Sequence, residues 1–317
     1  MRNKLKVLTV CSGIGAPEVA MKPLGFKFVG QSEIEPFPSH ILNHHFPDVP
    51  NFGDMTKFKD WNLNAANVDV LVGGTPCESF SISGLRKGLD SPNGNLALIF
   101  LSMAEHYAPN WVIWENVPGA LSSRSNGRSD FGTFLGALRK LGYSFAYRVL
   151  DAQCFLPQRR KRVFVVAHHK DWRCCAAVLF KRESLQKHTA KIKRKKQTNP
   201  PGIKTSTEST VSVYENHATD SRVTGPLDVC PTITRRWGTG GNNTPLVLHH
   251  DTKLIRKVLP EEAEELMGFE PGYTNIEFKG KEASNANRYK ALGNSMAVPV
   301  LSWITRRLLM TQEVIDE

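Results

Sequence analysis

Short runs of aliphatic and β-branched residues recur through the first half of the chain, separated by longer stretches whose apolar positions return every three or four residues. Runs of the first kind read as strands and the stretches between them as amphipathic helices. The pattern predicts strands at Leu5 to Val10, Phe26 to Glu33, Val68 to Val72, Trp111 to Glu115, Tyr143 to Leu150 and Val163 to Ala167. Strands alternating with helices in this way build an α/β fold around a mostly parallel sheet. The pattern then breaks. Residues 181–196, KRESLQKHTAKIKRKK, form a basic polar tract, and the following QTNPPGIKTSTEST is poor in large apolar side chains, so an irregular segment is expected there. Beyond it, LPEEAEELMGF reads as a capped helix and Ser295 to Leu309 as a second helix that returns to the first unit. Three parts are therefore expected: a catalytic unit over 1–170, a smaller irregular unit over 171–250, and a returning segment over 251–317.

Composition adds limits. With 317 residues and 40% hydrophobic positions, the chain can bury a substantial core. No apolar run approaches the roughly 18 residues that a membrane span needs. Met1-Arg2-Asn3-Lys4 leads straight into the first strand-like run, so no signal peptide is read and a cytoplasmic location is expected. The six cysteines, at 11, 77, 154, 174, 175 and 230, have no paired C-x-x-C spacing, which argues against a zinc knuckle and a disulfide framework, and no metal is expected. The formal charge of +11 suits a polyanionic partner, although a solvated basic face accounts for it equally well.

The candidate chemistry sits at strand ends. Leu8 to Ala16, LTVCSGIGA, puts glycines directly after the first strand, where a tight turn brings backbone N–H groups towards a ligand; a purely structural turn fits the same residues. The second strand ends in Ser32-Glu33-Ile34-Glu35, with a carboxylate placed to accept from ribose hydroxyls or to sit at a helix start. Gly53-Asp54-Met55-Thr56 offers a third edge, with Asp54 able to accept from an adenine amino group. The third strand runs into GGTPCESFSISG, residues 73–84, a Gly-Ser-Pro-rich loop in which Cys77 does not fit the usual reading of a buried, inert thiol. WVIWENV ends an apolar strand in Glu115-Asn116, where a carboxyl can be desolvated and hold its proton. Gln158-Arg159-Arg160-Lys161-Arg162 leads into the sixth strand, and its alternate arginines share a side if extended.

In motif order and over nearly the whole chain, CSGIGA, GGTPCESFSISG, ENV, QRRKR and LGNSM resemble the DNA (cytosine-5)-methyltransferase family of bacterial or phage type. The resemblance implies a Rossmann-like domain using S-adenosyl-L-methionine, joined to a smaller target-recognition domain, and double-stranded DNA as substrate. It assigns Cys77 as the nucleophile that adds to cytosine C6 and Glu115 as the acid at N3. Arg160 and Arg162 are the candidates for the positive field that favours the thiolate, since a free thiol with pKa near 8.5 is only slightly ionised at neutral pH, and Arg162 is the candidate for contact with the target base or its phosphate. Ser12, Gly13, Ile14 and Gly15 are implied at the donor's methionine end. Glu33 is implied at the ribose, Ile34, Asp54 and Met55 around the adenine, and Pro76, Asn294 and Ser295 at the rest of the pocket. Residues 79–95 resemble the loop that closes over DNA, with Ser79, Ser81, Arg86 and Lys87 as contacts. The segment from Cys230 resembles the recognition loop, with Thr232, Arg235, Arg236, Gly238 and Gly240 as contacts. Arg235 and Arg236 either read guanine or hold phosphates, and Trp237 either anchors a core or faces DNA.

Two positions depart from the family. Cys11 stands where an aromatic residue often meets the adenine, and Glu78 replaces the glutamine that usually follows the nucleophile. Methylation of transfer RNA cytosine is the nearest alternative activity, and a silent DNA-binding relative the next. A monomer is expected, with a restriction endonuclease as a functional companion in one setting and an orphan or phage role in others.

Overall fold

The computed structural model describes residues 4–76, 96–125, 127–169, 171–180, 211–217, 222–238 and 243–317. Its centre is a six-stranded sheet in the order β2-β1-β3-β4-β6-β5, formed by β1 (Lys6–Val10), β2 (Lys27–Ser32), β3 (Val70–Gly73), β4 (Trp111–Asn116), β5 (Tyr143–Asp151) and β6 (Lys161–His169). All six lie within a few residues of the predicted strands. Pairing is parallel from β2 through β4, while β6 runs antiparallel to both β4 and β5. The sheet is thus mostly parallel with one reversed strand, and it has the expected Rossmann-like methyltransferase fold.

Alternation along each strand fills two cores. On one face Val7, Val70, Val72, Trp111, Ile113, Phe164 and Val166 pack beneath α1 (Ala16–Met21), α5 (Trp172–Leu179) and α8 (Val298–Asp316). On the other, Leu8, Val10, Leu71, Val112, Trp114 and Val165 pack against α3 (Leu96–Tyr107) and α4 (Asp130–Lys140). β4 is buried along its whole length, which is why WVIWEN reads as one apolar run. α2 (Pro36–His45) follows β2.

A second, antiparallel sheet joins β7 (Val211–His217), β8 (Arg222–Leu227), β9 (Leu246–His249) and β10 (Ile255–Lys257) in the order β8-β7-β9-β10. The expected capped helix is α6 (Pro260–Met267), ended by Gly268 at φ +84. The expected helix from Ser295 to Leu309 differs in its limits. The chain breaks at Ser295-Met296-Ala297, α8 runs on to Asp316 with Pro299 in its first turn, and a separate helix α7 (Asn285–Asn294), capped by Ser284, precedes the break.

Candidate active site

The glycine turn after β1 is bound to the end of β2. Glu33 accepts from the Gly13 N–H at 2.9 Å with Oε2, and from the Ile34 and Glu35 N–H groups at 2.9 and 2.8 Å with Oε1. Ser12 adds a second tie: its N–H donates to the Ser32 carbonyl at 3.1 Å, and its hydroxyl accepts from the Ser32 N–H at 3.2 Å. Burial raises the Glu33 pKa against these bonds. Gly13 sits at φ +57 and Gly15 at φ +84, left-handed backbone that favours glycine. Gly15 also lies so close to Phe46 and Leu42 that a Cβ would collide, while Gly13 and Gly53 face open space.

Asn51 fixes the third edge, accepting from the Glu33 and Gly53 N–H groups at 3.0 and 3.1 Å. Asp54 accepts from the Thr56 N–H and hydroxyl, so it caps its own short turn, and Met55 is buried with its sulfur 3.5 Å from that of Cys11. Ile34 is exposed. Gly13, Glu33, Ile34 and Gly53 are thus tied into one edge through the Glu33 carboxylate and Asn51. Open space at Gly13 and Gly53, beside the half-buried Glu33 carboxylate, leaves room for a ligand that carries hydroxyl donors.

The next strand end carries the reactive edge. Trp114 donates through Nε1 to the Thr75 hydroxyl at 3.0 Å, and Asn116 donates through Nδ2 to the Thr75 carbonyl at 3.0 Å. These bonds fix the backbone two residues before Cys77. Gly74 lies against Met296 and Glu115: a Cβ there would stand 2.7 Å from the methionine methyl and 3.3 Å from Glu115 Oε2. Glu115 itself is buried, with Arg162 Nε 3.0 Å from its Oε1. Burial pushes the Glu115 pKa up, and the charges of Arg162 and Arg160 pull it down.

Arg160 has a different environment. It is buried and donates to the carbonyls of Ile233 at 2.9 Å and of Gly293 and Ser295 at 3.2 and 2.5 Å. Desolvation lowers its pKa to about 9. Its guanidinium therefore joins three chain segments. Gln158, also buried, donates to the Leu266 carbonyl and accepts from the Ile233 N–H, and Thr232 donates to the Arg159 carbonyl. The 230–238 segment then lies on α7: a Cβ on Gly293 would stand 2.2 Å from the Arg235 nitrogen, and one on Gly238 2.0 Å from the Ala286 carbonyl oxygen. Trp237 is buried with its ring edge-on to Tyr289, so it anchors a core, whereas Arg235 and Arg236 are exposed. Pro76 and Asn294 are exposed and Ser295 is buried.

Cys77, Glu78, Ser79, Ser81, Arg86, Lys87 and Gly240 lie outside the described residues. Sequence reasoning named neither Thr75 as the residue gripped by Trp114 and Asn116 nor Met296 behind Gly74. The Asn of ENV and the Met of LGNSM were the available signals.

The model of the C-5 cytosine-specific DNA methylase family matches residues 5–310. The chain belongs to this family. Enzymes of this DNA cytosine-5-methyltransferase family take their methyl group from S-adenosyl-L-methionine. The chain is 29% identical to the DNA N-6-adenine-methyltransferase of Escherichia phage P1, over 95% of its own length and 60% of the phage protein. It is 32% identical to the orphan methyltransferase M.Rho11sI of Bacillus phage rho11s, over 53% of its length and 34% of that protein. It thus spans less than two thirds of either phage relative. With the type II methyltransferase M.HpaII of Haemophilus parainfluenzae it shares 28% identity over 98% of its length and 90% of that enzyme. The crystal structure of the S. pombe Dnmt2 methyltransferase has the same fold, with a TM-score of 0.67, 19% identity, and 98% and 99% of the two chains covered.

Proposed function

We propose that the protein methylates C5 of cytosine in a short duplex DNA sequence, with Cys77 as covalent nucleophile and S-adenosyl-L-methionine as donor. The observation that carries this reading is the fixing of Thr75, two residues before Cys77, by the strand that ends in the buried, Arg162-paired Glu115. Three of the five sequence blocks meet there.

The chemistry asks for those groups. Cytosine C5 is a weak nucleophile, and a target base inside the stack is out of reach, so it must be flipped out at a cost of a few kcal/mol. The Cys77 thiolate then adds to C6 while Glu115 gives its proton to N3, moving an electron pair to C5. When bound, S-adenosyl-L-methionine would supply the electrophilic methyl group to C5. Loss of the C5 proton to a base expels the thiolate, and Glu115 recovers its proton from N3. Glu115 suits both directions because burial favours its neutral form while Arg162 favours its anion.

Arg160, held by three carbonyls, acts as a positioning group and adds positive field near Glu115. Gly13, Glu33 and Gly53 would hold the cofactor along one edge, with Ser12, Ile14, Gly15, Ile34, Asp54, Met55, Pro76, Asn294 and Ser295 completing its site. Residues 171–250 serve as the target-recognition unit through Thr232, Arg235, Arg236 and neighbouring glycines, and Ser79, Ser81, Arg86 and Lys87 meet the same DNA.

Methylation of the adenine exocyclic amine, named for the phage P1 relative, needs no thiolate adduct and would leave Cys77 without a task. The test is expression of wild-type and Cys77→Ala protein in a host lacking C5-methylation, followed by bisulfite sequencing. Cytosines protected in one short motif by the wild type and not by the variant are expected. Unprotected DNA from soluble wild-type protein sinks the reading.

A further inference from the structure

The rim of the sheet carries a positive feature that none of the five sequence blocks contains. After Asn116 the chain turns through Pro118–Leu121 and forms a two-residue ladder, in which Arg124 pairs with Ser129 and Ser125 with Arg128. Gly127, at φ +75, allows the tight reversal.

Its base is fixed. Ser123 donates through its hydroxyl to Oδ2 of the buried Asp130 at 2.5 Å, and the Asp130 N–H donates to the Ser123 carbonyl at 3.0 Å. Ser129 accepts from the Gly132 N–H at 3.1 Å and so caps α4. The Pro118–Leu121 turn packs against β6, the strand that carries Arg162. The ladder is therefore tied at its base, and it follows directly on the turn that joins the Glu115 strand to it and packs against the Arg162 strand.

Arg124, Arg128 and Ser129 are exposed, and among the described residues neither arginine has a carboxylate partner. The arginines deeper in the site are committed, Arg162 to Glu115 and Arg160 to backbone carbonyls. Two free guanidiniums, with a serine whose hydroxyl hydrogen remains available, make a phosphate-binding set. A rigid base lowers the ordering cost of gripping a flexible strand.

We propose that Arg124 and Arg128 hold the DNA phosphates that flank the flipped cytosine, as a contact independent of sequence. This rests on the DNA reading above. Such contacts fix register without reading bases.

The test measures binding of a mixed-sequence duplex as a function of salt for wild-type protein, for Arg124→Gln/Arg128→Gln, and for Arg139→Gln/Lys140→Gln. The last pair is exposed at the far end of α4 and removes the same charge. Each lost phosphate contact reduces the slope of log K against log salt by about 0.9, so the ladder variant is expected to be shallower by about 1.8, with the control unchanged. A ladder variant with the wild-type slope overturns the proposal, as does an equal drop in both variants. If wild-type protein methylates DNA while either result holds, only this inference falls. If wild-type protein neither binds nor methylates duplex DNA, the functional reading falls with it.

Discussion

Arg162 places its Nε 3.0 Å from Oε1 of Glu115, at the buried end of the central strand. The pair makes Glu115 a carboxyl with opposed influences: desolvation holds the proton on, and the neighbouring cation draws it off. Glu115→Gln keeps the shape and removes the transferable proton. Its single-turnover methylation rate is expected to fall about 100- to 10,000-fold, the usual span for general acid–base catalysis, with cofactor affinity within twofold of wild type. A rate within tenfold of wild type contradicts the role given to Glu115.

Arg162→Gln removes the largest influence that lowers the Glu115 pKa, so the group should bind its proton to higher pH than in wild type. The alkaline limb of the rate profile is then expected to move upward even though the maximal rate drops. An unmoved limb would show that Arg162 does not tune this carboxyl.

Asn116→Ala frees the Thr75 carbonyl, and Trp114→Phe frees its hydroxyl. Losing one buried hydrogen bond costs about 1–3 kcal/mol, so if that stabilisation is realised in the transition state the rate falls roughly 5- to 150-fold. Because Thr75 orients the chain that leads to Cys77, the loss is expected in kcat, with KM for the methyl donor nearly unchanged. A change confined to KM contradicts this.

Glu18 offers a pH test away from the chemistry. It lies fully buried on α1, accepts from the Thr9 hydroxyl at 2.5 Å with one oxygen, and has its other oxygen unpartnered; burial raises its pKa from 4.5 to about 7. A raised folded-state pKa means that stability is fully present below the unfolded value and declines as pH rises towards the folded one. The decline from this group is about 3 kcal/mol between pH 4.5 and 7. Glu18→Gln has no such decline, so its stability relative to wild type should increase from pH 5 to pH 8 in urea melts. Parallel pH profiles would refute it.

Gly293 tests the join between the recognition segment and α7. Gly293→Ala drives a methyl into the Thr234–Arg235 backbone and should destabilise by about 1–3 kcal/mol. Gly136→Ala, in α4 with open space around the site, should instead be neutral or stabilising by up to about 1 kcal/mol. Equal thermal midpoints for the two variants would contradict the packing described.

The main sheet was legible because its strands are short apolar runs, buried on one or both faces, that end in glycines or polar residues. β4 is the clearest case. The edge formed by the first two strand ends was legible through Gly13 and Glu33, which the fold joins by a hydrogen bond. Helix α7 was not. Its sequence NANRYKALGN is half polar, and its buried side includes Arg288, paired with Glu261 and Glu264, and the close backbone approaches at Gly238 and Gly293, neither of which shows as an apolar pattern. The break at Ser295 was missed for a related reason, since it presents a carbonyl to Arg160, a partner 135 residues away. The sequence offered both Arg160 and Arg162 for the positive field and singled out Arg162 for the target base or its phosphate; in the fold Arg160 links chain segments and Arg162 meets a carboxylate.

The most direct test of the central claim is nucleoside mass spectrometry on DNA and RNA from a host without C5-methylcytosine that expresses the protein. The account predicts 5-methylcytosine in DNA, no gain in N6-methyladenine, and loss of the signal in Cys77→Ala. N6-methyladenine without 5-methylcytosine, or 5-methylcytosine confined to RNA, would contradict it.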